Sequence, residues 1–168
     1  MNGLQIGSSA AVATLPSSWN ALQTGQIGAS LGGDGSNNAL TGTVHNDTLN
    51  GLAGNDTLTG GTGNDQFVFN TALNATTNVD SITDFTANSD KLVLDHLIFT
   101  SLAAGSLGVG SFVSGVSPAA ADANDFILYN TTTGAVSYDA DANGAGVAIQ
   151  FATLTASPTL TAADFAII

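Results

Sequence analysis

The 168-residue chain has no cysteine, no arginine and no glutamate, and its single lysine, Lys91, is set against 13 aspartates. Without cysteine there is no disulfide frame, no thiolate metal site and no cysteine nucleophile. One cation cannot neutralise a row of phosphates, which excludes nucleic-acid binding, and the same deficit argues against adhesion to an anionic membrane surface. No stretch approaches the roughly 18 uninterrupted apolar residues of a membrane span. Met1 to Ala13 also lacks the basic start and continuous apolar core of a Sec signal peptide, so export would need an address elsewhere in the chain. Charged residues make up only 8% of the sequence and the net charge is -12, yet 43% is hydrophobic. That is too apolar for a disordered acidic tail and fits one folded domain with a real core.

What the chain does have is a period. Residues 33–68 fall into four rows of nine: GDGSNNALT, GTVHNDTLN, GLAGNDTLT and GGTGNDQFV. Gly33, Gly42, Gly51 and Gly60 head the rows, Asn38, Asp47, Asp56 and Asp65 form the sixth column, and Leu40, Leu49, Leu58 and Phe67 form the eighth. Gly and Asn-Asp make the first six positions a turn, and the last three read as a short strand with its central apolar side chain inward. A three-residue strand cannot stand alone, so successive rows must stack and bury the eighth column together. Two rows per coil give a flattened right-handed parallel roll, with Asp47 over Asp65 and Asn38 over Asp56.

Stacked strands lie roughly 4.8 Å apart, and two carboxylates at that spacing repel by about 3.5 kcal/mol at an effective dielectric near 20. A hard divalent cation between them reverses the sign. Oxygen donors alone, with no nitrogen or sulfur, suit calcium, and magnesium is the second choice because it wants a smaller octahedral cage.

Residues 42–68, above all GLAGNDTLTGGTGNDQF, resemble the G-G-x-G-x-D-x-U-x nonapeptide of the calcium-binding RTX (repeats-in-toxin) family. The resemblance implies calcium held between coils by Asp47, Asp56 and Asp65, with Asn38 as a weaker substitute. Backbone carbonyls of Gly42, Val44, Gly51, Ala53, Gly60 and Thr62 would complete the sites. The first row departs from the pattern through Asn38 and Ser36, and His45 in the glycine column makes its turn irregular. An Asn/Asp/Gly-rich turn repeat that binds no metal is the bland alternative.

Val79 to Asp95, VDSITDFTANSDKLVLD, suggests two short strands about a turn at Asn88-Ser89-Asp90. It is similar to the D-x-I-x-D-F…D-K-x-x-L segment that follows the repeats in RTX proteins exported by type I secretion. Farther on, Phe126 to Tyr129, Ala135 to Tyr138 and Val147 to Phe151 read as sandwich strands, joined by tight connections at Thr131–Gly134 and Asp139–Gly144. The second connection opens as D-x-D-x-N-G with Asp139, Asp141 and Asn143. Gln150 stands where a calcium loop would place Glu, and strands flank it, so it is either a weak calcium loop or a polar hairpin. Asp164, Phe165, Ala166, Ile167 and Ile168 are similar to the uncleaved C-terminal signal of type I substrates, and read equally as a final core strand.

Gly28-Ala-Ser-Leu-Gly32 matches the G-x-S-x-G elbow of hydrolases, but turn material follows it and the chain is too short for the required α/β sheet. His45 and His96 lie in unlike contexts with no zinc-binding pairing. The expected protein is all-β: a leader, cap or linker at 1–32, a short right-handed parallel β-roll at 33–78, and a β-rich, sandwich-like module at 79–168. It is read as a non-enzymatic calcium-binding module, secreted or at the cell surface. The resemblance implies a type I transporter as partner, with neither nucleic acid nor membrane insertion. Two other readings stay open: a calcium-dependent structural or adhesive surface protein that self-associates, and the C-terminal piece of a larger secreted hydrolase.

Overall fold

A computed structural model describes residues 28–168 together with two short strands before them, Leu4–Gln5 and Val12–Ala13. The rest of the expected 1–32 segment, and most of the Met1–Ala13 stretch, lies outside the described residues. The strands are β1 (Leu4–Gln5), β2 (Val12–Ala13), β3 (Ser30–Gly32), β4 (Ala39–Thr41), β5 (Thr48–Asn50), β6 (Thr57–Thr59), β7 (Gln66–Phe69), β8 (Asp80–Ile82) and β9 (Lys91–Leu94). They are followed by β10 (Gly105–Ser106), β11 (Phe112–Gly115), β12 (Ile127–Asn130), β13 (Ala135–Tyr138), β14 (Ile149–Leu154) and β15 (Phe165–Ile167). No α-helix occurs among the described residues, so the protein is all-β as its sequence predicts.

Successive repeat strands alternate between two sheets. One runs β1-β3-β5-β7-β9-β15-β10 and the other β11-β12-β13-β14-β8-β6-β4-β2. The nonapeptide strands are too short to hold a hydrophobic face alone, and stacking solves this. In the first sheet Leu31, Leu49, Phe67, Leu92 and Phe165 lie in parallel register. In the second, Leu40, Leu58, Ile82 and Leu154 do the same. Every residue of both ladders is buried, and they belong to one hydrophobic core. The expected division at residues 78 and 79 falls inside this stack: β8 lies on β6 and β9 on β7, in opposite sheets.

The C-terminal third closes the roll. β12, β13 and β14 pair antiparallel through the two connections expected from the sequence, and β14 then returns parallel onto β8. Gly134 makes the first turn at φ +73°, donating its N–H to Asn130 O at 2.9 Å. Phe69, Phe151, Phe99 and Tyr138 form a chain of edge-to-face rings with centroids 5.0–5.1 Å apart, joining β7 to β14 and β13 across the core. β15 enters between β9 and β10, so the final strand is internal to its sheet.

Because Leu58 is fully buried in the middle of a ladder, Leu58→Ala should destabilise the folded protein by about 2–5 kcal/mol through lost burial and the cavity left behind. Urea denaturation in excess calcium measures this. Val109→Ala, at an exposed site, should change stability by less than about 0.5 kcal/mol in the same assay.

Candidate metal centre

The repeat turns lie on the two edges of the stack. Residues 42–47 and 60–65 cross between the sheets on one edge, and residues 33–38 and 51–56 cross back on the other. The sequence-predicted ligands divide accordingly. Gly42, Val44, Asp47, Gly60, Thr62 and Asp65 share the first edge; Asn38, Gly51, Ala53 and Asp56 share the second. All four sixth-column side chains are buried, at 4% exposure or less.

The vertical spacing is the expected 18 residues. The Asp47 N–H donates to Asp65 Oδ1 at 2.8 Å, and the Asn38 N–H donates to Asp56 Oδ1 at 2.7 Å. The columns continue past the last nonapeptide. The Asp56 N–H donates to Asp80 Oδ1 at 3.1 Å and the Asp65 N–H to Asp90 Oδ1 at 2.9 Å. Sequence reasoning missed Asp80 and Asp90 because the spacing grows to 24 and 25 residues where the turns lengthen. A signal was present: an aspartate two places before an inward apolar residue recurs as Asp56/Leu58, Asp65/Phe67, Asp80/Ile82 and Asp90/Leu92. Asp84, also missed, accepts the N–H groups of Gly60 and Gly61 at 2.9 and 2.8 Å.

Glycine heads each row because the chain passes against the carboxylate. A Cβ at Gly51 would lie 2.1 Å from Asp56 Oδ2, and one at Gly60 would lie 2.4 Å from Asp65 Oδ2. The fourth column then splits the turns into two kinds. Gly54 and Gly63 take φ of +121° and +136°, a region costly for other residues. In the earlier rows Ser36 and His45 occupy that column, and their N–H groups are held by Asp34 Oδ1 at 2.8 Å and Thr43 Oγ1 at 3.1 Å. These are side-chain turns that replace the glycine conformation. His45 is thus a turn residue, and its row is built differently, as the sequence suggests.

The difference reaches the carboxylates. Asp47 is saturated by the Thr43 N–H and hydroxyl and by the Ala29 N–H. In the two glycine rows the corresponding second-column donors point elsewhere: Leu52 N–H to Asn50 Oδ1 and Gly61 N–H to Asp84 Oδ2. Asp56 Oδ2 and Asp65 Oδ2 are left buried and without hydrogen-bond partners. An unmet buried acceptor costs about 1–3 kcal/mol, more when charged. Asn38 turns its Oδ1 to the Asp34 N–H at 2.8 Å and leaves Nδ2 unpartnered, so its free group is a donor and repels a cation.

Electrostatics follow from burial. Asp65 is pushed up to about 6 by desolvation, with the charges of Asp90, Asp47 and Asp84 adding to the effect against the hydrogen bond from the Asp47 N–H. Desolvation likewise raises Asp56, Asp80 and Asp90 above the ordinary carboxylate range. Little counter-charge is at hand: Lys91, beside Asp90, donates its ammonium to the Ala163 carbonyl at 2.7 Å. The donor set suits a hard, oxygen-seeking cation, and the unmet Oδ2 atoms of Asp56 and Asp65 are where such an ion fits. Among the described residues no three of His, Cys, Asp and Glu converge as a metal cage, so backbone carbonyls must supply the remaining ligands.

The other candidates lie apart. Asp139, Asp141 and Asn143 sit in the β13–β14 connection, and Asp164 to Ile168 run through β15, with Asp164, Phe165 and Ile167 buried. Ser30 is exposed on β3, a strand and no nucleophile elbow. His96 is exposed after β9, its Nδ1 2.5 Å from the Ile168 carbonyl.

Raised carboxylate pKa values mean that the metal-free fold holds protons the unfolded chain releases. That stability is complete below the unfolded carboxylate value near ~4 and is lost as pH rises through about 6 for Asp65. Melting in EDTA should therefore give a higher Tm near pH 5 than near pH 7.5. A Tm that climbs across this interval would contradict the assignment.

Comparison with known proteins agrees with the geometry. Residues 32–67 match the family described as the RTX calcium-binding nonapeptide repeat, in four copies. No curated protein matches the chain. The chain therefore carries an RTX calcium-binding repeat array at residues 32–67, and the ion those repeats bind is calcium.

Proposed function

We propose that this protein is a calcium-responsive folding module, exported through a type I secretion transporter and folding outside the cell, with a binding role and no catalytic one. The observation that carries the reading is the pair of buried, unpartnered carboxylate oxygens, Asp56 Oδ2 and Asp65 Oδ2, in a chain with a single lysine. Asp65, stacked with Asp47, holds calcium on one edge together with carbonyls of Gly42, Val44, Gly60 and Thr62. Asp56 holds it on the other edge with carbonyls of Gly51 and Ala53. Asn38 and the saturated Asp47 contribute less.

Bound calcium supplies the positive charge that turns stacked-carboxylate repulsion into attraction. In the low calcium of the cytosol the acidic columns oppose closure of the roll, which suits passage as an unfolded chain. Outside, an ion that binds only the folded state adds RT ln(1 + [L]/Kd) to stability. For a site of ~10⁻⁴ M at ~1 mM calcium that is about 1.4 kcal/mol, so two sites weigh heavily in a marginally stable fold. Asp164 to Ile168 serve as the secretion signal in this reading. Their place between β9 and β10 supports recognition before folding, since the folded sheet covers them on both sides.

Far-UV circular dichroism of EDTA-treated protein during a calcium titration tests this, with magnesium as the control. The β-signal should rise with calcium and far less with magnesium. Asp56→Asn and Asp65→Asn should each weaken the response by roughly tenfold in calcium concentration, and Asp47→Asn by less. A fold complete in EDTA and indifferent to calcium would sink the switch.

A further inference from the structure

The connection between β13 and β14 holds a second pair of carboxylates, remote in sequence from the repeats. Asp139 is only 6% exposed, yet its Oδ1 has no hydrogen-bond partner. The carboxylate of Asp141 lies within hydrogen-bonding reach of that of Asp139. Two acceptors that close, one of them buried, need either a shared proton or a cation between them. No arginine exists in the chain, and the ammonium of Lys91 is engaged at Ala163.

The backbone is shaped around the pair. The Asp139 N–H is anchored on the Phe126 carbonyl at 2.8 Å, which fixes the start of the loop to the residue before β12. The loop then bends back on Asp141, whose carbonyl accepts the Gly144 N–H at 2.9 Å and whose Oδ2 accepts the Gly146 N–H at 2.9 Å. A Cβ at Gly144 or Gly146 would come within 2.1 or 2.4 Å of the Asp141 oxygens, so a side chain at either position would displace that carboxylate. Ala142, directly after Asp141, takes φ +51°. Ser101 ties the loop down from outside, donating its hydroxyl to the Ala140 carbonyl at 2.6 Å and its N–H to the Tyr138 hydroxyl at 2.8 Å. Asp139 and Asp141 line a cleft of about 520 Å³ whose other walls include Leu97, Ile98 and Val147.

We propose that this loop is a calcium site separate from the repeat array, with Asp139 and Asp141 as its charged ligands and the Asn143 amide oxygen, next in the same alternation, completing the side-chain set. Hard oxygen donors at alternate positions of a glycine-closed turn suit calcium better than any softer metal. Bound calcium would lock the β13–β14 connection at the mouth of the cleft.

Native mass spectrometry and calorimetric titration of the full, EDTA-stripped chain with calcium test the site. Asp141→Asn is the informative variant because Asp141 is exposed and the amide oxygen can still accept the Gly146 N–H. It should lose one ion per chain, or weaken one class of site by at least roughly tenfold, while the remaining sites keep their affinity. Asp139→Asn should do the same if it folds, as checked by circular dichroism. Asp65→Asn should weaken the repeat site on its own edge, and Asp56→Asn the one on the other, with the loop site intact in both, so failure of the repeat reading and failure of this one are told apart. Unchanged stoichiometry and affinity in Asp141→Asn would overturn the proposal and assign the pair to a shared proton.

Discussion

Carboxylates are held one above another at the spacing of β-strands, and much else in the structure answers that constraint. The strand separation is dictated by the backbone hydrogen bonds of the stack, so the aspartates at the turn edges cannot move apart without unpairing it. Part of the cost is met internally: one oxygen of Asp56, Asp65, Asp80 and Asp90 accepts an N–H from the preceding coil. The second oxygen decides the chemistry. In Asp56 and Asp65 it is buried and unmet, and desolvation raises the pKa of both groups, so the metal-free state is electrostatically poised for a cation.

The rows are unequal for reasons that reduce to single residues. Thr43 can turn its hydroxyl and its N–H onto Asp47, and the same hydroxyl takes the His45 N–H. The row thereby closes its turn from within and quenches its own ligand. Where glycine stands in the fourth column the turn is made by backbone conformation, and the second-column N–H is drawn to Asn50 or Asp84. Departures from the repeat pattern are therefore electrostatic in consequence, even though the strand of every row buries its eighth-column apolar side chain alike.

Much of the array was legible because it is local and periodic. The nine-residue rows, the inward eighth column, the stacking of Asp47 over Asp65, the oxygen-only donor set and the two C-terminal connections all follow from spacing and residue type. Asp80, Asp84 and Asp90 were not legible as members of the edge columns. Longer turns break the count, and only the register of β8 on β6 and of β9 on β7 restores it. The saturation of Asp47 was hidden too, since Thr43 looks like any turn residue until its hydroxyl is seen to face the carboxylate.

The sequence by itself determined the period, the all-β class, the identity of the ligand atoms and the lack of counter-charge, because each is a property of composition or of neighbours within one row. Tertiary structure alone decided which carboxylate oxygens are left unmet and that Asp139 is buried beside Asp141. It also decided that β14 and β15 extend the two repeat sheets, so that residues 79–168 share one core with the roll. Those outcomes depend on contacts between segments tens of residues apart. Such contacts are set by which strand edge remains open once the repeats have stacked, and no local pattern encodes that choice.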